Sequence, residues 1–393
     1  MATPKTVRWG IMATGFIART FVQDILIDPH TRKVIDIKHV ISAVASSSSK
    51  SSAETFVAKH VAPTQTHEPC IPYGFYEDLV RDPDVDIIYI GTPHSHHYQN
   101  AMLALENNKP VLCEKPLTVN ASQARRLYAV AKERRLFFMD GMWTRHLPMS
   151  KAIRQHIIDN DIGEVIRVSA DLSIGKTPED FETQDRMVNP ALAGGCLLDL
   201  GVYSLTWVFQ TLFHTLPPSL QQHRPNVLGT AMTLTPKGVD ESMVALLEFP
   251  KSTPTGKTKA HAIVTAAMRI TDSPAEANTH SQAPTIRIQG EKGEIQVFGR
   301  IHNPTRYKLL LTVHEEVIDR TFEAEGAAQG LVYEADAAAR AFLAGTFESE
   351  VMTWMESILV MEIMDHVRSQ GGLTYPQDIE ATEYPVKLNV KSS

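Results

Sequence analysis

Gly10-Ile11-Met12-Ala13-Thr14-Gly15-Phe16-Ile17-Ala18 is the stretch on which the reading of the fold turns. It joins a short apolar run, Val7 to Ala13, to a segment with apolar residues at Phe16, Ile17, Phe21, Ile25 and Leu26, the spacing of one helix face. A strand therefore passes into a helix here. Set against the G-x-G-x-x-G/A pattern of dinucleotide-binding turns, the three small residues are Ala13, Gly15 and Ala18. Small side chains at those positions let the backbone approach a pyrophosphate, whose charge the helix N-terminus stabilises. The first glycine of the pattern is replaced by alanine, so the motif alone is weak and its surroundings must carry the argument.

Downstream the same unit recurs. Val40 to Ala45 precedes a helical pattern over Ala53 to Val61, Val85 to Ile90 precedes Tyr98 to Leu105, and Val111 to Cys113 precedes Ser122 to Arg134 before Leu136 to Met139. Short apolar strands alternating with helices are what a parallel sheet covered on both faces requires. The first 143 residues are thus expected to form a doubly wound Rossmann domain.

After about residue 145 the rhythm changes. A helix over Met149 to Ile158 gives way to strand patterns at Val165 to Ile174, Val227 to Leu234, Met243 to Phe249, His261 to Met268, Thr285 to Gly290, Glu294 to Phe298 and Tyr307 to Val313. Gly290-Glu291-Lys292-Gly293 suits a hairpin turn, and helical periodicity returns at Gly201 to Phe213, Leu331 to Leu343 and Glu356 to Arg368. Pro250 to Gly256 and Ser273 to Pro284 have the Pro, Ser and Thr content of loops. Residues 144–393 are expected to form an α/β domain on an open, mainly antiparallel sheet.

The 393 residues carry 38 Lys and Arg against 45 Asp and Glu, a formal charge of -7 with no basic run, which argues against a nucleic-acid partner. No apolar run approaches the ~18 residues of a membrane span, so no membrane partner is expected. Three widely spaced cysteines, Cys70, Cys113 and Cys196, suit a reducing compartment, and a cytoplasmic location is expected.

The cofactor type is read at the end of the second strand. An acid there would hold a ribose 2'-hydroxyl; this chain has Ser46, Ser47, Ser48, Ser49 and Lys50. Hydroxyls and an ammonium suit a 2'-phosphate, which favours NADP. Asp36 is the rival, as the ribose acid of an NAD site, although it precedes the strand and so belongs at its opposite end.

At Thr92-Pro93-His94-Ser95-His96-His97, Cys113-Glu114-Lys115-Pro116-Leu117, Met142-Trp143-Thr144-Arg145 and Gly194-Gly195-Cys196-Leu197-Leu198-Asp199-Leu200-Gly201-Val202-Tyr203 the sequence resembles the glucose-fructose oxidoreductase, inositol dehydrogenase and MocA family. Tyr203, where most of that family has histidine, is similar to the branch of dimeric dihydrodiol dehydrogenases and fungal NADP-dependent D-xylose 1-dehydrogenases. The resemblance implies an NADP-dependent oxidoreductase of an aldose, D-xylose first. It leaves open a dihydrodiol or dicarbonyl substrate, and a sugar-regulon repressor that senses NADP without catalysis. It also implies a homo-oligomer, a dimer before a tetramer, formed through the open sheet.

Oxidation of a sugar hemiacetal moves a hydride from C1 and a proton from its hydroxyl. Tyr203 is the expected acid/base, although a free phenol with pKa ~10 is too weak a base near neutrality. An ammonium ~4 Å away at an effective dielectric of ~20 would favour phenolate by ~4 kcal/mol, the right size of correction. Lys115 is assigned that role, and Asp199, four residues before Tyr203, would hold a substrate hydroxyl or orient the other two. Glu114, Thr92, Pro93, His94 and His97 would line the cofactor groove, with Trp143 on the nicotinamide, Arg145 on substrate hydroxyls, and Ala13, Thr14, Gly15, Phe16 and Ile17 around the phosphates. The histidines of 94–97 lack a carboxylate or thiolate partner, and no metal is expected.

Overall fold

Val7, Trp9 and Ile11 are fully buried, as are Ile41, Val44 and Ile87 to Ile90, the burial of strands at the centre of a covered sheet. The computed structural model describes residues 3–251, 259–272, 283–312, 315–322 and 329–389, and the chain falls into two compact units. The first comprises Met1–Trp143 with Ala324–Ile358 and Pro376–Ser393, the second Thr144–Glu323 with Leu359–Tyr375. The expected loops Pro250 to Gly256 and Ser273 to Pro284, and the end of the expected strand at Val313, fall largely outside the described residues.

The first unit is built on six strands: β1 (Lys5–Met12), β2 (Ile37–Ala45), β3 (Ile71–Tyr73), β4 (Ile87–Ile90), β5 (Val111–Glu114) and β6 (Phe138–Gly141). They run parallel in the order β3-β2-β1-β4-β5-β6, the doubly wound dinucleotide-binding order with its reversal between β1 and β4. Gly10 sits where β1 and β4 pack closest, since a Cβ there would lie 2.8 Å from both Ile88 and Val85. Phe21, on the helix Phe16–Ile25, stacks on Tyr89 at 3.7 Å and meets Trp9 edge-on at 5.4 Å. Burying such rings is worth roughly 1.5–3 kcal/mol each and locks the helix to the sheet. The edge strand β3 and the helix Tyr76–Arg81 are absent from the sequence reading, because three residues containing a proline carry almost no periodic signal.

Residues 324–358 and 376–393, expected in the C-terminal domain, cluster with this first unit. The reason is polar as well as apolar. The Asp24 carboxylate accepts the N–H groups of Gly330 at 2.8 Å and Leu331 at 2.9 Å, capping the helix Leu331–Leu343 from outside it. Asp336 on that helix takes a two-pronged contact from Arg32, 2.9 Å on each arm, and a 2.8 Å bond from His39. Because Trp9 Nε1 donates to His39 Nδ1 at 3.0 Å, the ring proton lies on Nε2 and points at Asp336.

The second unit carries β7 (Val165–Ser173), β8 (Asn226–Leu234), β9 (Asp240–Pro250), β10 (Lys259–Ala267), β11 (Ile286–Gly290), β12 (Gly293–Phe298), β13 (Arg306–Leu311) and β14 (Glu316–Thr321). Their order is β14-β13-β12-β11-β7-β10-β9-β8; β7 and β10 pair in parallel and the rest antiparallel. The 290–293 turn joins β11 to β12 as expected. One face is covered by the helix Val202–Leu212, every residue of which is buried. The 23-residue stretch Pro190–Leu212 is apolar and long enough to cross a membrane, yet it is wholly buried, as the core helix of a folded unit would be.

Candidate functional site

In the first unit the carboxyl ends of five strands bring most of the expected residues to one sheet edge. Ala13 follows β1, and its φ of 123° is a backbone shape that favours glycine, so the turn keeps the geometry of the G-x-G pattern although the residue is alanine. Gly15 caps the helix Phe16–Ile25 with no side chain bonding its first N–H groups, and a Cβ there would meet nothing within 4 Å. Open space before unbonded helix amides fits the anionic pyrophosphate of a dinucleotide. Thr14 and Ile17 are half-buried and Phe16 is 72% exposed, leaving its ring outside the core.

Ser46 follows β2. Its Oγ accepts the Ser48 N–H at 3.2 Å and lies 2.9 Å from Ser48 Oγ, while Ser49 caps the next helix through the Ser52 N–H at 3.1 Å. Ser47 is exposed on the same loop, and exposed Lys50 is the first residue of that helix. Asp36 lies at the other end of β2, in a bidentate pair with Arg340 at 2.8 and 2.9 Å, away from any ribose held at the carboxyl edge.

Past β4, Thr92 and Pro93 lead into the helix His94–Glu106. His97 is fully buried with Nε2 2.8 Å from the Thr92 carbonyl and Nδ1 2.8 Å from that of Pro116. Burial, and then His94, push its pKa down to about 3 against the two carbonyls, which favour the charged ring, and the ring sits between the β4 and β5 loops. His94 is buried beside it, ring centres 5.8 Å apart. Among the described residues no group of three or more His, Cys, Asp or Glu is arranged to hold a metal.

At the end of β5, Glu114 accepts the Tyr89 hydroxyl at 2.7 Å and the Lys115 N–H at 3.2 Å. Desolvation first, and Glu114 second, hold the Tyr89 phenol well above its usual range, so it stays a donor and orients the carboxylate at the base of Lys115. Lys115 is the first residue beyond the strand and half-buried; Trp143 follows β6 and is buried.

Arg145, Asp199 and Tyr203 belong to the second unit. Arg145 is fully buried there and its carbonyl accepts from Arg154 Nη1 at 2.9 Å. The helix expected from Gly201 begins as a π-turn over Leu197–Gly201, in which the Val202 N–H reaches back to Leu197. Asp199 sits inside that turn, so its alignment with Tyr203 is not the one an α-helix gives residues four apart. The turn is held by buried Asp240, whose Oδ2 accepts the Leu197 N–H at 2.6 Å and the Cys196 thiol at 3.1 Å.

Asp199 has a partner that sequence reasoning missed. Arg186 Nη1 and Nη2 donate to Asp199 Oδ1 and Oδ2 at 2.8 and 3.2 Å, a two-pronged clamp. The only sequence signal was a lone arginine in a loop thirteen positions upstream, ahead of Gly194-Gly195. Those glycines make the approach feasible, since a Cβ on Gly194 would lie 2.6 Å from the Arg186 carbonyl oxygen. Tyr203 is 7% exposed, with its ring 5.7 Å from that of His302. The first unit thus carries an ammonium, Lys115, just past β5, and the second a phenol, Tyr203, four residues after a carboxylate clamped by Arg186.

Residues 7–142 match the family described as the oxidoreductase family with an NAD-binding Rossmann fold, and residues 150–296 match the GFO/IDH/MocA C-terminal domain. The chain is 45% identical over 394 residues to D-xylose 1-dehydrogenase (NADP(+)) of Hypocrea jecorina, covering 98% of this chain and 97% of the relative. It is 32% identical to trans-1,2-dihydrobenzene-1,2-diol dehydrogenase of Homo sapiens over 95% of this chain and 99% of that one. Among solved structures, KijD10, a 3-ketoreductase from Actinomadura kijaniata in complex with NADP and TDP-benzene, superposes with a TM-score of 0.70 at 22% identity, covering 93% of this chain and 98% of that one; at that identity the likeness is one of fold.

Proposed function

This chain belongs to the GFO/IDH/MocA oxidoreductase family, and from that premise we propose that it oxidises the C1 hydroxyl of an aldose, D-xylose first, with NADP. The observation that carries the substrate reading is the 45% identity, across 98% of the chain, to an NADP-dependent D-xylose 1-dehydrogenase. NADP, when bound, supplies the hydride acceptor. Gly15 and the N–H groups of the following turn hold the pyrophosphate, and Ser46, Ser47 and Lys50 take the 2'-phosphate. Thr92, Pro93, His94, His97, Glu114 and Trp143 shape the groove around the rest.

The Tyr203 phenol oxygen takes the proton from the C1 hydroxyl, and the reverse reaction returns it. Lys115, the first residue past β5, supplies an ammonium to the cofactor edge of the first unit. Asp199 holds a neighbouring sugar hydroxyl. Tyr203→Phe keeps the ring and loses the oxygen, so turnover should fall ~10²-fold or more with NADP binding little changed. Steady-state NADPH formation with D-xylose and fluorescence titration of NADP are the measurements, and near-normal turnover would remove the role. Turnover with a cyclohexane diol but not xylose would move the substrate to the diol class.

The proposal extends to self-association. On the face of the second sheet opposite the helix, Val244, Leu246 and Ile263 are 44%, 41% and 40% exposed, and Leu246 pairs directly with Ile263. On the same face Arg287 is paired with Glu294 at 2.7 Å, and the apolar centre is left for another copy. Sedimentation equilibrium at micromolar concentration should give twice the chain mass, and Leu246→Asp half of that; a wild-type monomer would overturn it.

A further inference from the structure

The clamp on Asp199 raises a question about charge. A carboxylate in the turn that leads into the helix of Tyr203 opposes formation of a phenolate, because two anions close together cost more than one. Asp199 is nearly buried, its side chain 9% exposed, so water screens it poorly. An unneutralised carboxylate four residues before an acid/base phenol would favour the protonated phenol.

We propose that Arg186 is a positioning residue for proton transfer: by closing its guanidinium on Asp199 it cancels that carboxylate at the Tyr203 phenol and sets the pH at which the phenol can accept a proton. The inference rests on the assignment of Tyr203 as acid/base and adds to it a charge pair within the same unit. Both arms of the guanidinium face Asp199, at 2.8 and 3.2 Å, so its position is fixed by the carboxylate it neutralises. Its backbone is pinned from the other side, where the Gly195 N–H donates to the Met187 carbonyl at 2.9 Å and the Met187 N–H to Asp185 Oδ1 at 2.8 Å.

The charges agree with the geometry. Asp199 first, with Asp185 and Tyr203 adding smaller contributions, hold the Arg186 guanidinium above the usual arginine range. Such coupling is reciprocal: a phenolate that stabilises the guanidinium is stabilised by it to the same degree. Arg186 thus feels Asp199, Asp185 and Tyr203 together, and the Tyr203 ring lies 5.7 Å from that of His302, in the loop after β12. Of these groups the Arg186 and Asp199 pair is the one held by direct hydrogen bonds, and removing either partner changes the local charge by one unit.

Two variants should move the Tyr203 titration in opposite directions. Arg186→Gln leaves the carboxylate bare and should raise the phenol's apparent pKa by about one unit or more, a roughly tenfold loss of kcat/KM on the acid limb that recovers at high pH. Asp199→Asn leaves the guanidinium bare and should lower it. Arg186→Lys keeps the charge and should stay near wild type. The readouts are the pH profile of kcat/KM with D-xylose and a ¹³C-tyrosine NMR titration in which Tyr203→Phe identifies the resonance.

NMR follows the phenol whether or not it is the catalytic base. A shifted titration with full activity in Tyr203→Phe would therefore sink the acid/base assignment and leave the coupling standing. A titration unmoved in both Arg186→Gln and Asp199→Asn, or a loss of activity equal at every pH, overturns the role given to Arg186. Should Arg186→Gln melt before the titration ends, the direction seen in Asp199→Asn decides alone.

Discussion

Ser46 stands where an acidic residue would exclude a 2'-phosphate, and its hydroxyl is already turned into the loop, accepting the Ser48 N–H at 3.2 Å. A carboxylate in its place would accept the same N–H and bring a negative charge to the 2' position. Ser46→Asp should therefore shift the ratio of kcat/KM for NADP over NAD towards NAD by at least ~10-fold, measured with both cofactors at fixed xylose. An unchanged ratio would mean that Lys50 or another group reads the phosphate. At this scale the sequence was informative where expected site residues are consecutive, as at Ser46 to Lys50 and Glu114-Lys115, which lie at the carboxyl ends of β2 and β5. It was silent on Arg186, whose meaning depends on a carboxylate thirteen positions away.

The π-turn Leu197–Gly201 joins local sequence to the site. Gly194 and Gly195 permit it: Gly195 has φ 121°, and a Cβ on it would fall 1.9 Å from Asp240 Oδ1. Asp240 must stay close because it accepts the Leu197 N–H and the Cys196 thiol that begin the turn. Gly195→Ala should cost about 2–4 kcal/mol from the strained φ and the collision together, seen as a lower melting temperature, with xylose turnover reduced because Asp199 and Tyr203 are carried by the displaced turn. An unchanged melt would show that the clamp has slack. Periodicity found the helix from Gly201 onward but not the π-turn before it, since a widened turn is imposed by Asp240, a residue of β9.

Across the first unit, carboxyls from four distant places meet. Glu334 is fully buried with neither oxygen hydrogen-bonded among the described residues, and burial first, then Glu114, Asp140 and Asp24, raise its pKa well above the usual carboxylate range. The folded state therefore keeps a proton that the unfolded chain releases at pH ~4.3. Its contribution to stability is intact below that pH and is lost as pH rises through the folded value. Glu334→Gln removes the titration, so its melting temperature should gain on wild type as pH is raised from 4.5 to 8, each kcal/mol showing as ~2–4 °C. A gap that does not change with pH would mean Glu334 carries no extra proton. None of this was visible in sequence, where Glu334 reads as one polar position in an amphipathic helix.

The sequence alone determined the parallel strand-helix alternation, the antiparallel second sheet and the small-residue turn at Ala13 to Ala18, because each is written in the period of a short segment whose burial follows from its own residues. Only the tertiary structure decided that residues 324–358 complete the first unit, that Arg186 closes on Asp199 and that Asp240 widens the turn before Tyr203. Those outcomes depend on pairing polar groups far apart along the chain, and the cost of leaving a buried N–H or carboxylate unpaired is settled only when the folded chain brings its partner within reach.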